Sequence, residues 1–164
     1  MLTRSLFGAL TLLAVACGAP AQPTPQTPAP SPGDTAPNTA ALADIEAFFA
    51  APSLATARPV VRFVGASPAV LVVYRPAFTD DPASDEAQGP LLLAAYAAGN
   101  ARAQLRDGEK RDMPVEGVRG VLALYAKWKE SQPDLELSTL EAFARAEAAG
   151  TLEQAVEDAI TDGG

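Results

Sequence analysis

Residues 60–74, VVRFVGASPAVLVVY, decide the fold class that the sequence predicts. Both halves of this stretch are rich in β-branched and aromatic residues, which favour strands. Between the halves lies Gly65-Ala66-Ser67-Pro68, which is typical of a turn, and Pro59 and Pro76 flank the whole stretch. The pattern therefore predicts a short antiparallel β-hairpin. Its two strands would be Val60–Val64 and Ala69–Tyr74.

The rest of the folded region predicts helices, because its apolar residues recur at intervals of three and four. Helices are expected over residues 41–50, 91–105 and 115–130, from Ser138 to Gly150, and from Thr151 onward. Ser138 and Glu141 have the spacing of a capping box, and Gly150 is typical of a helix end. The predicted fold class is α+β, a mostly helical small domain with one short antiparallel β-hairpin.

Composition excludes several classes of site. The 164 residues include 12 Lys+Arg, 20 Asp+Glu, one Cys and no His. Without His the chain lacks a Ser–His or Cys–His nucleophile pair and a His-ligated zinc. One Cys allows neither an internal disulfide nor a Cys-rich metal site. The net charge of -8 argues against binding to nucleic acid, because phosphate contact needs a basic face. No cofactor is expected.

The N-terminus predicts a secretory signal peptide over residues 1–16. Arg4 gives a positive start, and Leu6–Ala16, LFGALTLLAVA, is an uncharged and mostly apolar run. As a helix this run would span only about 16 Å, roughly half of the hydrocarbon core of a bilayer. A permanent transmembrane helix is therefore not expected.

The only cysteine follows this run directly. The segment Leu13-Ala14-Val15-Ala16-Cys17-Gly18 resembles the lipobox of bacterial lipoproteins, although Ala14 stands where Leu is commonest. The resemblance implies that the Cys17 sulfur receives a diacylglyceryl group, that the signal is cut before Cys17, and that the new amine is acylated, for example with palmitate. Gly18 after the cysteine favours the outer membrane if the host has two membranes.

Ordinary signal cleavage is the alternative at this position. Ala14-Val15-Ala16 also fits the A-x-A pattern of a secretory cleavage site. Cleavage there without acylation would release a secreted soluble protein with a free thiol at Cys17.

Residues 17–38 predict a tether between the lipid-anchored Cys17 and the domain. From Pro20 to Asn38, seven of nineteen residues are proline. Such a stretch has no apolar face to bury, so it predicts a disordered spacer with a polyproline II bias. The single globular domain would then comprise residues 39–164.

One predicted loop gathers carboxylates. Asp80, Asp81, Asp85 and Glu86 lie within seven residues. A hard cation such as Ca²⁺ takes several oxygens from a flexible loop, so these four residues are the candidates for a metal site. The spacing is not that of an EF-hand, and a solvated loop without metal is the other interpretation. No catalytic residue is assigned.

Three aromatic residues and one basic run are assigned structural roles. Tyr96, Tyr125 and Trp128 occur at helical spacing and predict core positions, with a ligand groove as the alternative. A basic run is interleaved with acids and predicts a solvated, salt-bridged surface. Its members are Arg102, Arg106, Lys110 and Arg111.

Charge is segregated along the chain. Residues 39–129 carry ten basic and ten acidic residues, whereas residues 130–164 have a net charge of -8. The acidic end predicts the solvated face of surface helices. The functional alternatives are docking to a basic partner and repulsion from an anionic membrane.

Together these features predict a lipid-anchored cell-envelope protein of undetermined role. Its domain would be a non-enzymatic binding or interaction module on a tether, for a protein partner or a small ligand. The alternative is a small envelope enzyme or metal-dependent hydrolase that uses the carboxylates of residues 80–86. The expected association is with a membrane through the N-terminal lipid, and not with nucleic acid.

Overall fold

Six α-helices account for most of the residues that the computed structural model describes, which are 36–80 and 84–162. They are α1 (Ala36–Ala50), α2 (Leu54–Ala66), α3 (Gln88–Asp107), α4 (Pro114–Ser131), α5 (Ser138–Ala148) and α6 (Leu152–Asp162). A short 3-10 turn, Pro76–Phe78, lies between α2 and α3. No strand occurs among the described residues.

Helices α3 and α4 form the centre of the fold. The first two-thirds of α3, residues 88–101, carry no charge and consist mainly of Ala and Leu, so this helix is buried on most sides. Helices α1 and α2 pack on α3, whereas α5 and α6 pack on α4. The largest fully buried side chains include Phe48, Phe78, Tyr96, Leu124 and Leu140. The core therefore follows the central pair of helices.

Two glycines allow α3 and α4 to approach each other closely. A Cβ atom added to Gly99 would lie 3.0 Å from the Cα of Gly120 and would overlap the carbonyl oxygen of Glu116. A Cβ atom on Gly120 would overlap the carbonyl oxygen of Ala95. The atoms in the way belong to backbone and cannot rotate aside. Glycine is therefore required at both positions for this helix spacing.

The predicted β-hairpin is wrong, and its first strand is part of α2. The Ser53 hydroxyl accepts a hydrogen bond from the Thr56 N–H, and the Thr56 hydroxyl accepts one from the Ser53 N–H. This capping box starts a helix in which Ala57 and Val60 are buried at helical spacing. Capping and tertiary packing thus override the β-propensity of the sequence. Pro59 removes one hydrogen bond inside α2, and packing on α1 and α3 offsets that loss.

The predicted second strand has no partner strand among the described residues. Leu71 and Val73 both direct backbone groups toward α3, which is the alternation of an extended chain. The side chain of Gln104 takes the place of a neighbouring strand. Its Oε1 accepts from the Leu71 N–H at 2.8 Å, and its Nε2 donates to the Leu71 carbonyl at 2.7 Å. The β-branched pattern therefore marks an extended segment, residues 69–75, that belongs to no sheet.

The helical predictions over residues 41–50, 91–105 and 115–130 are confirmed as parts of α1, α3 and α4. Gly150 has a φ of 73° between α5 and α6, the left-handed conformation expected at a helix end. Helix α1 begins at Ala36, three residues before the predicted start of the domain.

The predicted signal peptide and most of the predicted tether lie outside the described residues. Within residues 36–80 and 84–162, none of the helices has both the length and the apolar character needed to cross a bilayer.

Candidate functional site

Five polar side chains meet beneath the extended segment, and we call them the polar cluster. They are Arg75 from the segment, Tyr96, Asn100 and Gln104 from α3, and Asp112 from the α3–α4 loop. The spacing of four places the three α3 residues on one side of that helix. Asn100 and Gln104 are only 0% and 1% exposed. Polar groups buried to this degree need hydrogen-bond partners.

Asn100 links Gln104 to Asp112. Its Oδ1 accepts from Gln104 Nε2 at 2.6 Å and from the Met113 N–H at 3.1 Å. Its Nδ2 donates to Asp112 Oδ1 at 2.7 Å. A buried polar group without a partner costs about 1–3 kcal/mol, so this continuous chain of hydrogen bonds stabilises the packing of the extended segment on α3.

Asp112 fixes the end of the extended segment. Its Oδ1 also accepts from the Val73 N–H at 3.1 Å, and its Oδ2 pairs with Arg75 Nη1 at 2.6 Å. Burial opposes the charge of Arg75, but the hydrogen bond and the attraction of Asp112 outweigh it and raise the pKa of Arg75. The folded environment of Arg75 therefore favours its charged form.

Tyr96 acts as a hydrogen-bond donor in the polar cluster. Its ring stacks on Phe78 with centroids 5.6 Å apart and occupies the space that a side chain at Gly117 would need. Burial, and then the negative charge of Asp112, raise the pKa of Tyr96 to about 12. The hydroxyl stays protonated at neutral pH and donates to the Val73 carbonyl at 3.3 Å.

The polar cluster holds the chain in place and presents no free reactive group. A general base needs a lone pair available to the substrate, and Asp112 already accepts from three donors. Every buried side-chain nitrogen or oxygen in the described part of the chain has a partner. The geometry of the cluster therefore fits positioning of the extended segment better than proton transfer.

A groove of about 490 Å³ opens beside the polar cluster, between α3 and the start of α4. Its charged lining has both signs, and includes Arg102, Arg106, Arg111, Asp107, Glu116 and Glu153. The predicted salt-bridged surface is confirmed for the arginines. Glu46 pairs with Arg106 at 3.0 Å and with Arg102 at 3.8 Å, and Glu109 pairs with Arg111 at 2.8 Å. The groove therefore offers no uniform charge to an ionic ligand.

The acidic loop has structural contacts where it is described. Asp80 Oδ1 accepts from the Tyr74 hydroxyl at 3.0 Å, and Asp85 Oδ1 accepts from the first N–H groups near the start of α3. Glu86 is exposed, and Asp81 lies outside the described residues. In residues 36–80 and 84–162 no group of three or more His, Cys, Asp or Glu side chains is placed to hold a metal ion. A metal site that includes Asp81 stays a prediction.

The core prediction for the aromatic residues is confirmed at Tyr96 and Tyr125, whereas Trp128 is half-buried. The Tyr125 hydroxyl lies 2.6 Å from Glu141 Oε1 and 2.9 Å from the Leu135 carbonyl. Its single proton goes to the charged and closer acceptor, Glu141. Lys129 Nζ donates to Leu135 and to Glu141, at 3.0 and 3.2 Å. These contacts fasten the α4–α5 loop.

Replacing Glu141 with Gln should destabilise the domain at pH 7, and the destabilisation should be smaller at about pH 3. The hydrogen bond from Tyr125, and then that from Lys129, lower the pKa of Glu141. The carboxylate therefore contributes stability above its ordinary pKa of about 4.3, and the contribution is lost as the pH falls through the lowered value. The side chain is one-third exposed, so we expect less than about 1 kcal/mol.

Urea unfolding of the wild type and of Glu141→Gln at both pH values measures this difference. Glu130→Gln is the control, because it removes an exposed carboxylate of α4 that pairs with no described residue. A Glu141→Gln effect that is equally large at pH 3 would show that the carboxylate charge is not responsible.

Sequence reasoning missed the polar cluster. The sequence feature that could have indicated the cluster is the pair Asn100 and Gln104. These two amides lie four residues apart in α3, whose residues 88–101 carry no charge. The hydrogen-bond partners of these amides lie at residues 71 and 112, which the pattern along α3 does not predict.

The described domain is thus all-helical, with an extended segment that side chains hold on the central helix. Comparisons with protein-family models, with characterised proteins and with solved structures found no match.

Proposed function

We propose that the chain is a lipid-anchored cell-envelope protein whose helical domain is a non-enzymatic interaction module on an N-terminal tether. One observation carries the anchor: Cys17, the only cysteine, directly follows the apolar run Leu6–Ala16. The resemblance of this segment to a lipobox implies acylation of Cys17. Gly18 favours the outer membrane in a host with two membranes.

The surface of the domain supports an interaction role. Six large hydrophobic side chains are exposed in the described domain, and five of them lie between Leu54 and Tyr74. Single exposed apolar residues are ordinary, but Leu54 and Val61 lie on one side of α2, and an exposed apolar side of a helix is a candidate contact surface. The side chains of the polar cluster, by contrast, form hydrogen bonds with one another and with the extended segment. This combination favours binding over catalysis.

Replacing Cys17 with Ser should abolish both lipidation and membrane retention. Each buried CH₂ of an acyl chain contributes about 0.8 kcal/mol, so two or three chains hold a protein firmly on a bilayer. The measurement is incorporation of radiolabelled palmitate together with fractionation of cell envelopes. The wild type should be labelled and sediment with membranes, and Cys17→Ser should do neither.

A matched variant moves the thiol instead of removing it. Cys17→Ser combined with Ser31→Cys keeps one cysteine but places it fourteen residues further from the apolar run, so labelling should still be lost. A wild type that takes up no palmitate and is released as a soluble protein would refute the anchor and favour cleavage after Ala16.

A further inference from the structure

The outward side of α2 combines apolar and cationic side chains, and we call it the α2 face. Leu54, Arg58, Val61 and Arg62 follow the spacing i, i+4, i+7, i+8, which places them on one side of a helix. Leu54 and Val61 are 57% and 44% exposed, and both arginines are exposed as well. Ala57 and Val60, which lie next to this side and further round the helix, are buried in the core. Helix α2 therefore carries apolar side chains both in the core and on its solvent-exposed side.

The α2 face is electrostatically distinct from the rest of the chain. Neither Arg58 nor Arg62 forms an ion pair with a described residue. Residues 47–79 contain three arginines and no Asp or Glu, in a chain with a net charge of -8. Helix α6, which packs on α4 and α5, carries four acids and no base. An anionic surface would therefore attract α2 and repel α6, which selects one orientation.

We propose that the α2 face docks on the headgroup region of an anionic lipid bilayer. Exposed apolar side chains next to arginines on one helix side are characteristic of helices that lie in a membrane interface. Leu54 and Val61 would enter the boundary with the acyl chains. Arg58 and Arg62 would bind lipid phosphates, for which the guanidinium group is well suited.

This inference rests on the proposed function, because the lipid anchor at Cys17 is what would bring the domain to a membrane. Eighteen residues separate Cys17 from the start of α1 at Ala36. At about 3.1 Å per residue they would reach roughly 55 Å, more than twice the length of α1 at about 1.5 Å per residue. The anchor alone would thus not decide which side of the domain meets the membrane. It would supply a high effective concentration, at which a weak contact suffices, and the α2 face would set the orientation.

The test uses the full chain with Cys17→Ser, so that no acyl chain contributes to binding. Flotation is measured with vesicles of phosphatidylcholine alone and of phosphatidylcholine mixed with phosphatidylglycerol. The anionic vesicles should bind more protein, and added salt should reduce the excess. Arg58→Glu with Arg62→Glu should lower binding to the anionic vesicles by about tenfold or more, since each arginine near an anionic surface is equivalent to roughly fivefold in partitioning.

The control is Lys110→Glu with Arg145→Glu, which makes the same change in net charge at two exposed residues on other elements. This pair should leave binding unchanged, and both pairs should keep the helical circular dichroism of the parent. Leu54→Ser with Val61→Ser, which keeps both arginines, should also weaken binding.

Three results would overturn the docking proposal. The first is equal binding to both vesicle types, as the apolar run at residues 6–16 alone would produce. The second is an equal loss in the two charge-reversal pairs. The third is a concentration-dependent dimer that needs the α2 face and shows no preference for anionic vesicles. Because the assay lacks the acyl chains, it succeeds or fails independently of palmitate labelling at Cys17.

Discussion

Replacing Gly99 with Ala should destabilise the domain by about 3 kcal/mol, at the upper end of the cost of overpacking. The new Cβ would overlap the carbonyl oxygen of Glu116 and press on the backbone of Gly120. Relief requires α3 and α4 to move apart, which loosens the contact on which both halves of the domain pack. The opposite sign would be expected from helix propensity alone, because Ala favours a helix over Gly by about 1 kcal/mol.

The control for this change lies in the same helix. Gly89 in the first turn of α3 has open space where its Cβ would be, so Gly89→Ala should leave stability unchanged or raise it slightly. Urea unfolding followed by circular dichroism gives the free energy of unfolding of both variants. A Gly99→Ala protein that is as stable as Gly89→Ala would mean that the two helices are not in backbone contact.

Replacing Gln104 with Leu should cost about 2–3 kcal/mol although the volume of the side chain hardly changes. The substitution removes both hydrogen bonds to the Leu71 backbone and one to Asn100 Oδ1. Asn100 keeps the Met113 N–H as a donor, and the partly exposed segment regains some water, so the loss is smaller than for three fully buried groups.

The specific readout is at Leu71 rather than in the global stability alone. Amide hydrogen exchange at Leu71 should accelerate more than exchange in α4 when Gln104 is replaced, because the segment loses its direct acceptor. Gln154→Leu on the exposed side of α6 is the matched control and should change stability by no more than about 0.5 kcal/mol. Unchanged exchange at Leu71 in Gln104→Leu would contradict the role assigned to this side chain.

Local patterns located most helices but assigned the wrong structure to the stretch that opens with Val60. In that stretch the β-branched residues are compatible with either a strand or a buried helical face, and the choice depends on features outside it. One is the capping box at Ser53 and Thr56, just upstream. Another is the packing of Ala57 and Val60 against helices that come earlier and later in the chain. Pro59 predicts a boundary, but the second turn of this packed helix accommodates it.

The polar cluster could not be predicted from local sequence patterns, because its partners are distant in sequence. Asp112 stands in a charged loop beside Arg111, and its sequence neighbours suggest a solvent-exposed ion pair. Its actual partner is Arg75, 37 residues away. Likewise, nothing in the string AVLVVY indicates that its hydrogen bonds come from a glutamine side chain. Side-chain partners of this kind depend on the tertiary arrangement and produce no periodic pattern in the sequence.

The side-chain attachment of the extended segment also bears on how the chain reaches its native state. Helices adjacent in sequence pack together along the whole described domain, from α1 with α2 to α5 with α6, and such local contacts give a low contact order and rapid folding. The bonds from Leu71 to Gln104 and from Val73 to Asp112 instead span 33 and 39 residues. Each such bond closes a loop at an entropic cost. Because the polar cluster combines side chains of the segment, of α3 and of the α3–α4 loop, we expect the segment to dock only once α3 and that loop are in place.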